Sequence, residues 1–187
     1  FDDLLQANLL GTYNLYEGAR KNGKPRILFA SSNHAIGFHK RTTKLDEASE
    51  QRPDSLYGVT KCYGEALASY YNDKFDVETV SLRIGSCFEK PRNRRMLSTW
   101  MSPRDFMSLI KAVFDAPMTG HLVMYGVSNN ASKWWSNDHA AFLGWNPQDS
   151  SEQFRAEIEA ASEAEDRHDP AVIYQGGPFA SAGHFED

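Results

Sequence analysis

The feature that most constrains the fold of this sequence is an alternation of short β-rich runs with longer segments of helical spacing. The predicted strands cover residues 27–30, 78–84 and 121–127, and the predicted helices cover 3–22, 55–73 and 103–116. This alternation is typical of a parallel sheet covered by helices, so we expect the α/β class. The unbroken apolar run at 27–30 predicts a strand buried on both faces.

Local chemistry fixes several boundaries of these elements. Gly23 and Pro25 end the first helix, and Ser102 before Pro103 is typical of an N-cap followed by the first helical residue. A long loop is expected over 85–102. The short helices predicted near the end of the chain cover 137–143 and 151–163, and an acidic tail follows them.

The composition excludes several classes of function. Twenty Lys and Arg stand against 25 Asp and Glu, giving a formal net charge of −5, so a general binder of nucleic acid or membrane surfaces is not expected. No apolar run is long enough to cross a bilayer, and no signal peptide is visible. Cys62 and Cys87 are too few for a disulfide scaffold, and we expect a cytoplasmic setting. The histidines lack the spacing of metal ligands, so no metal site is predicted.

Polar residues follow the first two predicted strands. The segment 31–34 reads Ser-Ser-Asn-His, and Gly-Ser-Cys follows the second strand at 85–87. Ligands of open α/β sheets bind outside the carboxyl ends of the strands. We therefore expect the site at this edge of the sheet.

Tyr57 and Lys61 are four residues apart on a predicted helix and share a face. A lysine ammonium next to a phenol favours the phenolate, which can accept a proton from a substrate hydroxyl. A hydroxyl from Ser31 or Ser32 could orient the same substrate oxygen. Tyr70 and Lys74 have the same spacing, but they face elsewhere on the helix, and we expect a solvated surface there.

These residues resemble the catalytic set of the extended short-chain dehydrogenase/reductases. Asn8 lies in Asn-Leu-Leu-Gly-Thr, which is similar to that family's Asn-x-x-Gly-Thr helix. Longer segments resemble the narrower group of uronate dehydrogenases, namely Phe-Ala-Ser-Ser-Asn-His at 29–34, Tyr-Gly-Val-Thr-Lys at 57–61, Arg-Ile-Gly-Ser-Cys at 83–87, Arg-Met-Leu-Ser-Thr-Trp at 95–100 and Tyr-Gln-Gly-Gly at 174–177. The resemblance runs from the first helix into the tail.

The resemblance implies oxidation of D-galacturonate or D-glucuronate at C1 by NAD+, giving the aldaric acid lactone. It makes Tyr57 the general base, tuned by Lys61, with Ser32 positioning the C1 hydroxyl and Asn8 completing the catalytic set. The substrate-binding residues that it implies are Ser32, Asn33, His34, Ser86 and Arg95. The cofactor-binding residues that it implies are Asn8, Ser31, Tyr57, Lys61 and Ile84. A guanidinium fork also suits a carboxylate on chemical grounds, which independently favours the assignment of Arg95.

The same resemblance implies the C-terminal portion of a Rossmann-type, doubly wound parallel sheet. We expect a partial dinucleotide-binding domain over 1–128, with a substrate loop at 85–102, and a small helical region with a tail over 129–187. The chain opens directly into a helix at Phe1, and no Gly-x-x-Gly-x-x-Gly occurs in it, so we expect that an N-terminal part of the family fold is missing. We accordingly expect this chain alone to bind NAD poorly and to have little activity. The preference for galacturonate or glucuronate, and for NAD or NADP, stays open.

Two other functions remain open. A nucleotide-sugar epimerase or dehydratase uses the same tyrosine and lysine, although the short C-terminal region favours a small free sugar acid. A truncated, non-catalytic sensor is the second alternative. By the family's habit, we also expect a homo-oligomer that pairs the helices at 3–22 and 55–73, with Leu4, Leu9, Leu67 and Tyr71 offering a second apolar face.

Overall fold

The computed structural model describes residues 1–183, and the end of the predicted acidic tail, residues 184–187, lies outside them. The strands in chain order are β1 (Ile27–Ser32), β2 (Thr79–Ile84), β3 (Ser86–Cys87), β4 (Trp100–Met101) and β5 (His121–Gly126). Strands β1, β2 and β5 form a parallel sheet in that order, and β3 pairs with β4 in a separate parallel ribbon. The α/β class with a parallel sheet, predicted from the sequence, is confirmed.

The helices fall between and after these strands. Helix α1 is a continuous stretch of an α-helical turn (Asp2–Leu4), a π-helical segment (Leu5–Leu10) and an α-helix (Gly11–Lys21). The remaining α-helices are α2 (Leu56–Phe75), α3 (Met96–Thr99), α4 (Pro103–Asp115), α5 (Arg155–Ala161), α6 (Pro170–Ile173) and α7 (Pro178–Ser181). Short 3-10 helices cover Asn33–Ala35, Asp138–Leu143 and Ser151–Phe154. None of the helices within residues 1–183 is long and apolar enough to span a membrane.

Helices cover both faces of the sheet. Successive side chains of the central strand β2 point to opposite faces, so β2 contacts a helix on each side. Val80 and Leu82 of β2 point into a core shared with Leu109 and Val113 of α4. Arg83, between them and the end of the strand, points to the opposite face and pairs with Glu65 of α2. The sheet is therefore held between α4 on one face and α2 on the other.

The carboxyl ends of the three strands stand side by side. Ser32 of β1 is in register with Ile84 of β2, and Ile84 is in register with Gly126 of β5. The segments that follow β1 and β2 consequently begin at the same edge of the sheet, as the sequence predicted.

The burial predicted for the first strand is wrong. Ile27, Leu28 and Phe29 are only partly buried and Ala30 is exposed. Within the described residues β1 pairs only with β2 and is an edge strand, so its other side has no strand to cover it.

Two segments expected to be irregular carry regular structure. The loop at 85–102 contains β3, α3 and β4. The residues expected to form a tail include α6 and α7, with the fully buried Gln175 between them. Long-range hydrogen bonds to Lys40 and Thr43 hold Gln175, and a local sequence pattern does not encode such bonds.

The second apolar face predicted for an oligomer is partly wrong. Tyr71 is buried inside this chain, where its ring stacks on Tyr16 at 5.1 Å and its hydroxyl donates to Glu17 at 2.8 Å. Leu67 packs against the same cluster. Large apolar side chains that these helices expose are Leu10, Tyr13, Leu15, Leu56, Val59 and Tyr70. Pairing of these helices between copies stays a prediction, as does a domain boundary at residue 128.

Candidate active site

The carboxyl ends of β1 and β2 and the first turns of α2 enclose a cavity of about 430 Å³. Its lining residues are Ala30, Ser31, Ser32, Asn33, His34, Tyr57, Lys61, Ile84, Gly85 and Phe179. Seven of the predicted site residues therefore share one cavity. Three others, Asn8, Ser86 and Arg95, lie outside its wall.

The end of β1 separates the two candidate serines. The Ser32 hydroxyl accepts a hydrogen bond from the His34 backbone N–H at 3.2 Å, which starts the 3-10 turn that follows the strand. The Ser31 hydroxyl instead donates to the buried carboxylate of Glu65 at 2.6 Å. Ser32 thus has a hydroxyl proton left to offer in the cavity, whereas the Ser31 side chain is occupied by the protein itself.

The first turns of α2 position the tyrosine and the lysine. Ser55 caps the helix, its hydroxyl accepting from the Gly58 N–H at 3.1 Å, so that Tyr57 lies in the first turn. One turn later the Lys61 ammonium donates to the Ala30 carbonyl at 2.9 Å and lies 5.3 Å from the centre of the Tyr57 ring. Burial lowers the pKa of Lys61. The Lys61 cation lies within cation–π distance of the Tyr57 ring.

Gly58 allows the helix to approach β1 this closely. A side-chain carbon at position 58 would lie 2.3 Å from the His34 carbonyl oxygen and 3.1 Å from Pro53. The structure identifies the His34 backbone as the group that uses the room left by Gly58.

Asn8 acts on the tyrosine helix from outside the cavity wall. It lies in the π-helical segment, where the sequence predicted an ordinary helix. Its amide donates to the Thr60 hydroxyl at 2.9 Å, and that hydroxyl donates to the Tyr57 carbonyl at 2.7 Å. Asn8 therefore braces the backbone that carries Tyr57.

A buried ion pair beneath the cavity joins α2 to β2, and the sequence did not predict it. Arg83 donates to both carboxylate oxygens of Glu65, at 3.0 and 2.8 Å, and Glu65 also accepts from Ser31 and Gln51. Burial alone would raise the pKa of Glu65, but the hydrogen bonds and charge of Arg83 outweigh it and lower that pKa. The spacing of Tyr57, Lys61 and Glu65 by four residues could have indicated that all three face the sheet.

Arg95 lies behind the cavity and has no acidic partner among residues 1–183 within 4 Å. Its Nε donates to the Gln175 carbonyl at 2.7 Å. With the Asn33 amide oriented to satisfy both of its neighbours, Asn33 donates to the Ile84 carbonyl at 3.1 Å and accepts from Arg95 Nη2 at 2.7 Å. Burial, and then the nearby Arg41, lower the pKa of Arg95 to about 10. An anion bound here would compensate this buried charge.

Ser86 is placed differently from the other substrate candidates. It is buried on β3, and its hydroxyl is hydrogen-bonded to the Thr99 hydroxyl at 2.9 Å. It lies one residue beyond Gly85 of the cavity wall but is not part of that wall. A role in binding the substrate stays a prediction for Ser86.

Two residues that the sequence did not indicate contact the His34 side chain, and one of them, Phe179, also lines the cavity. The ring of Phe179, from α7, stacks on the His34 ring at 3.9 Å. The carboxylate of Asp54, just before α2, accepts from His34 Nδ1 at 2.8 Å. Both contacts join segments far apart in sequence, so no local motif could have revealed them.

This chain is similar to known proteins over nearly its whole length. Residues 2–104 match the NAD dependent epimerase/dehydratase family. The uronate dehydrogenase of Pseudomonas putida is 51% identical over 185 residues, which cover 99% of this chain and 69% of the relative. The crystal structure of the glucuronic acid dehydrogenase of Chromohalobacter salexigens has a TM-score of 0.98 and 60% identity, covering 100% of this chain and 70% of that chain. A mutant of the Agrobacterium tumefaciens uronate dehydrogenase, solved in complex with NAD, has a TM-score of 0.96 and 51% identity, covering 98% of this chain and 69% of that chain.

The parallel sheet with a tyrosine and a lysine at its carboxyl edge belongs to a Rossmann-like class of α/β proteins. This chain is a member of the NAD dependent epimerase/dehydratase family. Within that family it is similar to uronate dehydrogenases over nearly its whole length, which confirms the resemblance stated from the sequence.

Proposed function

We propose that this protein catalyses the NAD-dependent oxidation of D-galacturonate or D-glucuronate at C1 to the aldaric acid lactone. The observation that carries the proposal is the guanidinium of Arg95. It is partly buried, contacts Asn33 of the cavity wall, and has no carboxylate within 4 Å among residues 1–183. A uronate supplies the missing carboxylate on a sugar small enough for the cavity, and the similarity to uronate dehydrogenases supports the same choice.

Proton transfer falls to Tyr57. The phenolic oxygen of Tyr57, with the Lys61 ammonium one turn along α2, accepts the proton of the C1 hydroxyl. Ser32 orients the same hydroxyl oxygen from the end of β1 by donating a hydrogen bond to it. Bound NAD+ supplies the acceptor for the hydride that leaves C1.

Lys61 also has the donors needed to hold a cofactor ribose. Its ammonium has three protons, and the structure shows one hydrogen bond, to the Ala30 carbonyl. The remaining donors suit ribose hydroxyls at the open edge of β1. Tyr57, Ile84 and the backbone at Ser31 adjoin the same space, and Asn8 braces the helix behind it.

Arg95 binds the carboxylate of the substrate. Its Nε and one Nη2 bond are held by Gln175 and Asn33, which fixes the plane of the guanidinium. The other N–H donors suit the two oxygens of a carboxylate. His34 and Asn33, between Arg95 and Tyr57, line the path of the sugar ring, and we assign them contacts with its hydroxyls.

NADH formation tests the proposal, with D-galacturonate, D-glucuronate and the neutral sugar D-galactose as substrates. Because the chain matches 69% of the P. putida relative, each assay is run on this chain and on this chain joined to the remaining part of that relative. We expect turnover of the uronates in the joined protein, weak NAD binding and little turnover by this chain alone, and a kcat/KM for galactose about 10–100-fold lower.

Absence of NADH with both uronates in a folded, NAD-binding joined protein would contradict the proposal. Isomerisation or dehydration of a nucleotide sugar without net NADH would favour the epimerase or dehydratase alternative instead. Uronate binding with no turnover under any condition would favour a sensor.

A further inference from the structure

The His34 side chain is clamped by a carboxylate that the proposed chemistry does not use. Both oxygens of Asp54 lie near His34 Nδ1, at 3.1 and 2.8 Å. The backbones of the two residues are also hydrogen-bonded, since the Asp54 N–H donates to the His34 carbonyl at 3.3 Å. His34 is thus tied by two bonds to the residue that precedes the cap of α2.

The carboxylate of Asp54 is packed more tightly than a surface acid needs. Its side chain is wholly buried. A side-chain carbon at Gly37 or at Gly176 would lie only 1.8 Å from Asp54 Oδ2. Two glycines from distant segments therefore leave a slot that the Asp54 carboxylate fills. The Gly176 N–H donates to the Gly37 carbonyl at 2.9 Å, which holds the two glycines together on either side of the slot.

The contact with Asp54 determines which ring nitrogen of His34 carries the proton. A carboxylate accepts hydrogen bonds and cannot donate one, so the Nδ1 that faces it must bear the proton. Asp54 also accepts from the Ser55 hydroxyl at 3.0 Å. Neutral histidine has one ring proton, so Nε2 is left with a lone pair. Within residues 1–183 no group donates a hydrogen bond to that nitrogen.

The same contacts link His34 to the proton-accepting residue. The Ser55 hydroxyl, which donates to Asp54, also accepts the N–H of Gly58 at the start of α2. Tyr57 lies in that first turn, and its ring meets the His34 ring edge-on at 5.9 Å. Asp54 therefore fixes the position of the imidazole relative to the phenol as well as its proton.

We propose that Asp54 is a positioning residue that holds His34 in the Nδ1–H form, so that Nε2 accepts a hydrogen bond from a ring hydroxyl of the sugar acid. The inference rests on the proposed function for the identity of the sugar, but the state of the imidazole does not depend on it. A site built this way rejects analogues that lack the hydroxyl, because Nε2 would lose its only donor.

Nitrogen NMR of the histidine-labelled protein at neutral pH tests the first half of the proposal. The His34 signals are assigned by their loss in His34→Gln. We expect a protonated Nδ1 and a bare Nε2 at His34, and the opposite form at His39, whose Nε2 faces the Glu50 carbonyl at 2.8 Å. In Asp54→Asn the fraction of His34 with a bare Nε2 falls, whereas in Asp46→Asn, an exposed acid in the same loop, it is unchanged. A protonated Nε2 at His34 in the unmodified protein overturns the proposal, whether or not Asp54→Asn folds.

A double-mutant cycle tests the second half in the joined protein. We expect Asp54→Asn to lower kcat/KM for the uronate about 10–100-fold, mainly through KM, as loss of a partner that orients a histidine does at other sites. In a His34→Gln background the same change has no further effect, because Asp54 acts through His34.

The failures of the two proposals are distinguishable. If the unmodified joined protein oxidises uronates and Asp54→Asn does so equally well, the role of Asp54 is overturned and the proposed function stands. If neither uronate is oxidised, the proposed function fails, and the NMR measurement still decides the form of His34.

Discussion

The two sides of the cavity are built in different ways. The proton-transfer side, Ser32, Tyr57 and Lys61, comes from consecutive elements, β1 and the first turns of α2. The C-terminal side, Arg95, Gln175 and Phe179, comes from a substrate loop and from a segment near the end of the chain. A short sequence motif is enough to predict that the first set lies together. The second set comes together only through contacts between residues far apart in sequence. In the proposed mechanism, proton transfer and substrate choice are therefore assigned to separately assembled parts of the chain.

The largest effect is expected at the proton-transfer side. Tyr57→Phe removes the phenolic oxygen that accepts the proton in the proposed mechanism, so kcat of the joined protein should fall by about 10²–10⁴-fold while uronate binding changes little. Tyr70→Phe is the matched control, because Tyr70 has the same spacing to a lysine but lies exposed on another face of α2. Steady-state kinetics and calorimetric binding check both variants. Equal losses in the two would contradict the assignment.

Glu65→Gln tests the support beneath the proton-transfer side. The change leaves the buried Arg83 without its carboxylate, so the free energy of unfolding should fall by about 3–5 kcal/mol. Denaturant unfolding measures the loss, and Asp73→Asn, an exposed acid on the same helix, should change the free energy of unfolding by less than about 0.5 kcal/mol. A loss in Glu65→Gln no larger than in Asp73→Asn would show that the ion pair does not brace the site.

Arg95→Met separates binding from stability on the C-terminal side. Loss of the charged hydrogen bonds should raise KM for the uronate about 10–100-fold with little change for galactose. The free energy of unfolding should change little, because relief from burying a cation with no acidic partner within 4 Å among residues 1–183 offsets the loss of its hydrogen bonds to Gln175 and Asn33. Arg92→Met, in the same loop but exposed, is the control for KM. A fall in stability with KM unchanged would make Arg95 a structural residue.

The smallest effect is expected from Phe179→Ala. Loss of the stack on His34 is worth about 0.5–1.5 kcal/mol, which corresponds to a rise in KM of about 2–13-fold. Phe142→Ala, an exposed aromatic residue elsewhere on the protein, should leave KM unchanged. If kcat falls as strongly as in Tyr57→Phe, the two sides of the cavity do not act separately.

The success of the sequence analysis follows the same division. The parallel strands and the site at their carboxyl ends could be predicted, since alternating patterns and helix caps are local properties. The π-helical segment around Asn8 could not be predicted, because the sequence pattern of a helix does not reveal a local change to i→i+5 hydrogen bonds. Neither could the Glu65–Arg83 pair, the Asp54 slot or the burial of Gln175, since each joins residues on separate elements.

The prediction for Ser31 and Ser32 shows where sequence reasoning stops. Both serines line the cavity, but adjacent residues of a strand point to opposite sides, so their hydroxyls have different surroundings. The Ser31 hydroxyl donates to Glu65, a residue of the next helix, and the Ser32 hydroxyl does not. The resemblance assigned Ser32 to the substrate and Ser31 to the cofactor, and these roles stay predictions. The hydrogen bond of Ser31 to Glu65, which no local pattern encodes, is what distinguishes the two hydroxyls in the structure.

A crystal structure of the joined protein with D-galacturonate tests the central claim most directly, that one substrate bridges the two sides of the cavity. We predict the substrate carboxylate on the Arg95 guanidinium and the C1 hydroxyl within hydrogen-bond distance of both Tyr57 and Ser32. A sugar bound with its carboxylate turned away from Arg95, or with C1 out of reach of Tyr57, would contradict the account.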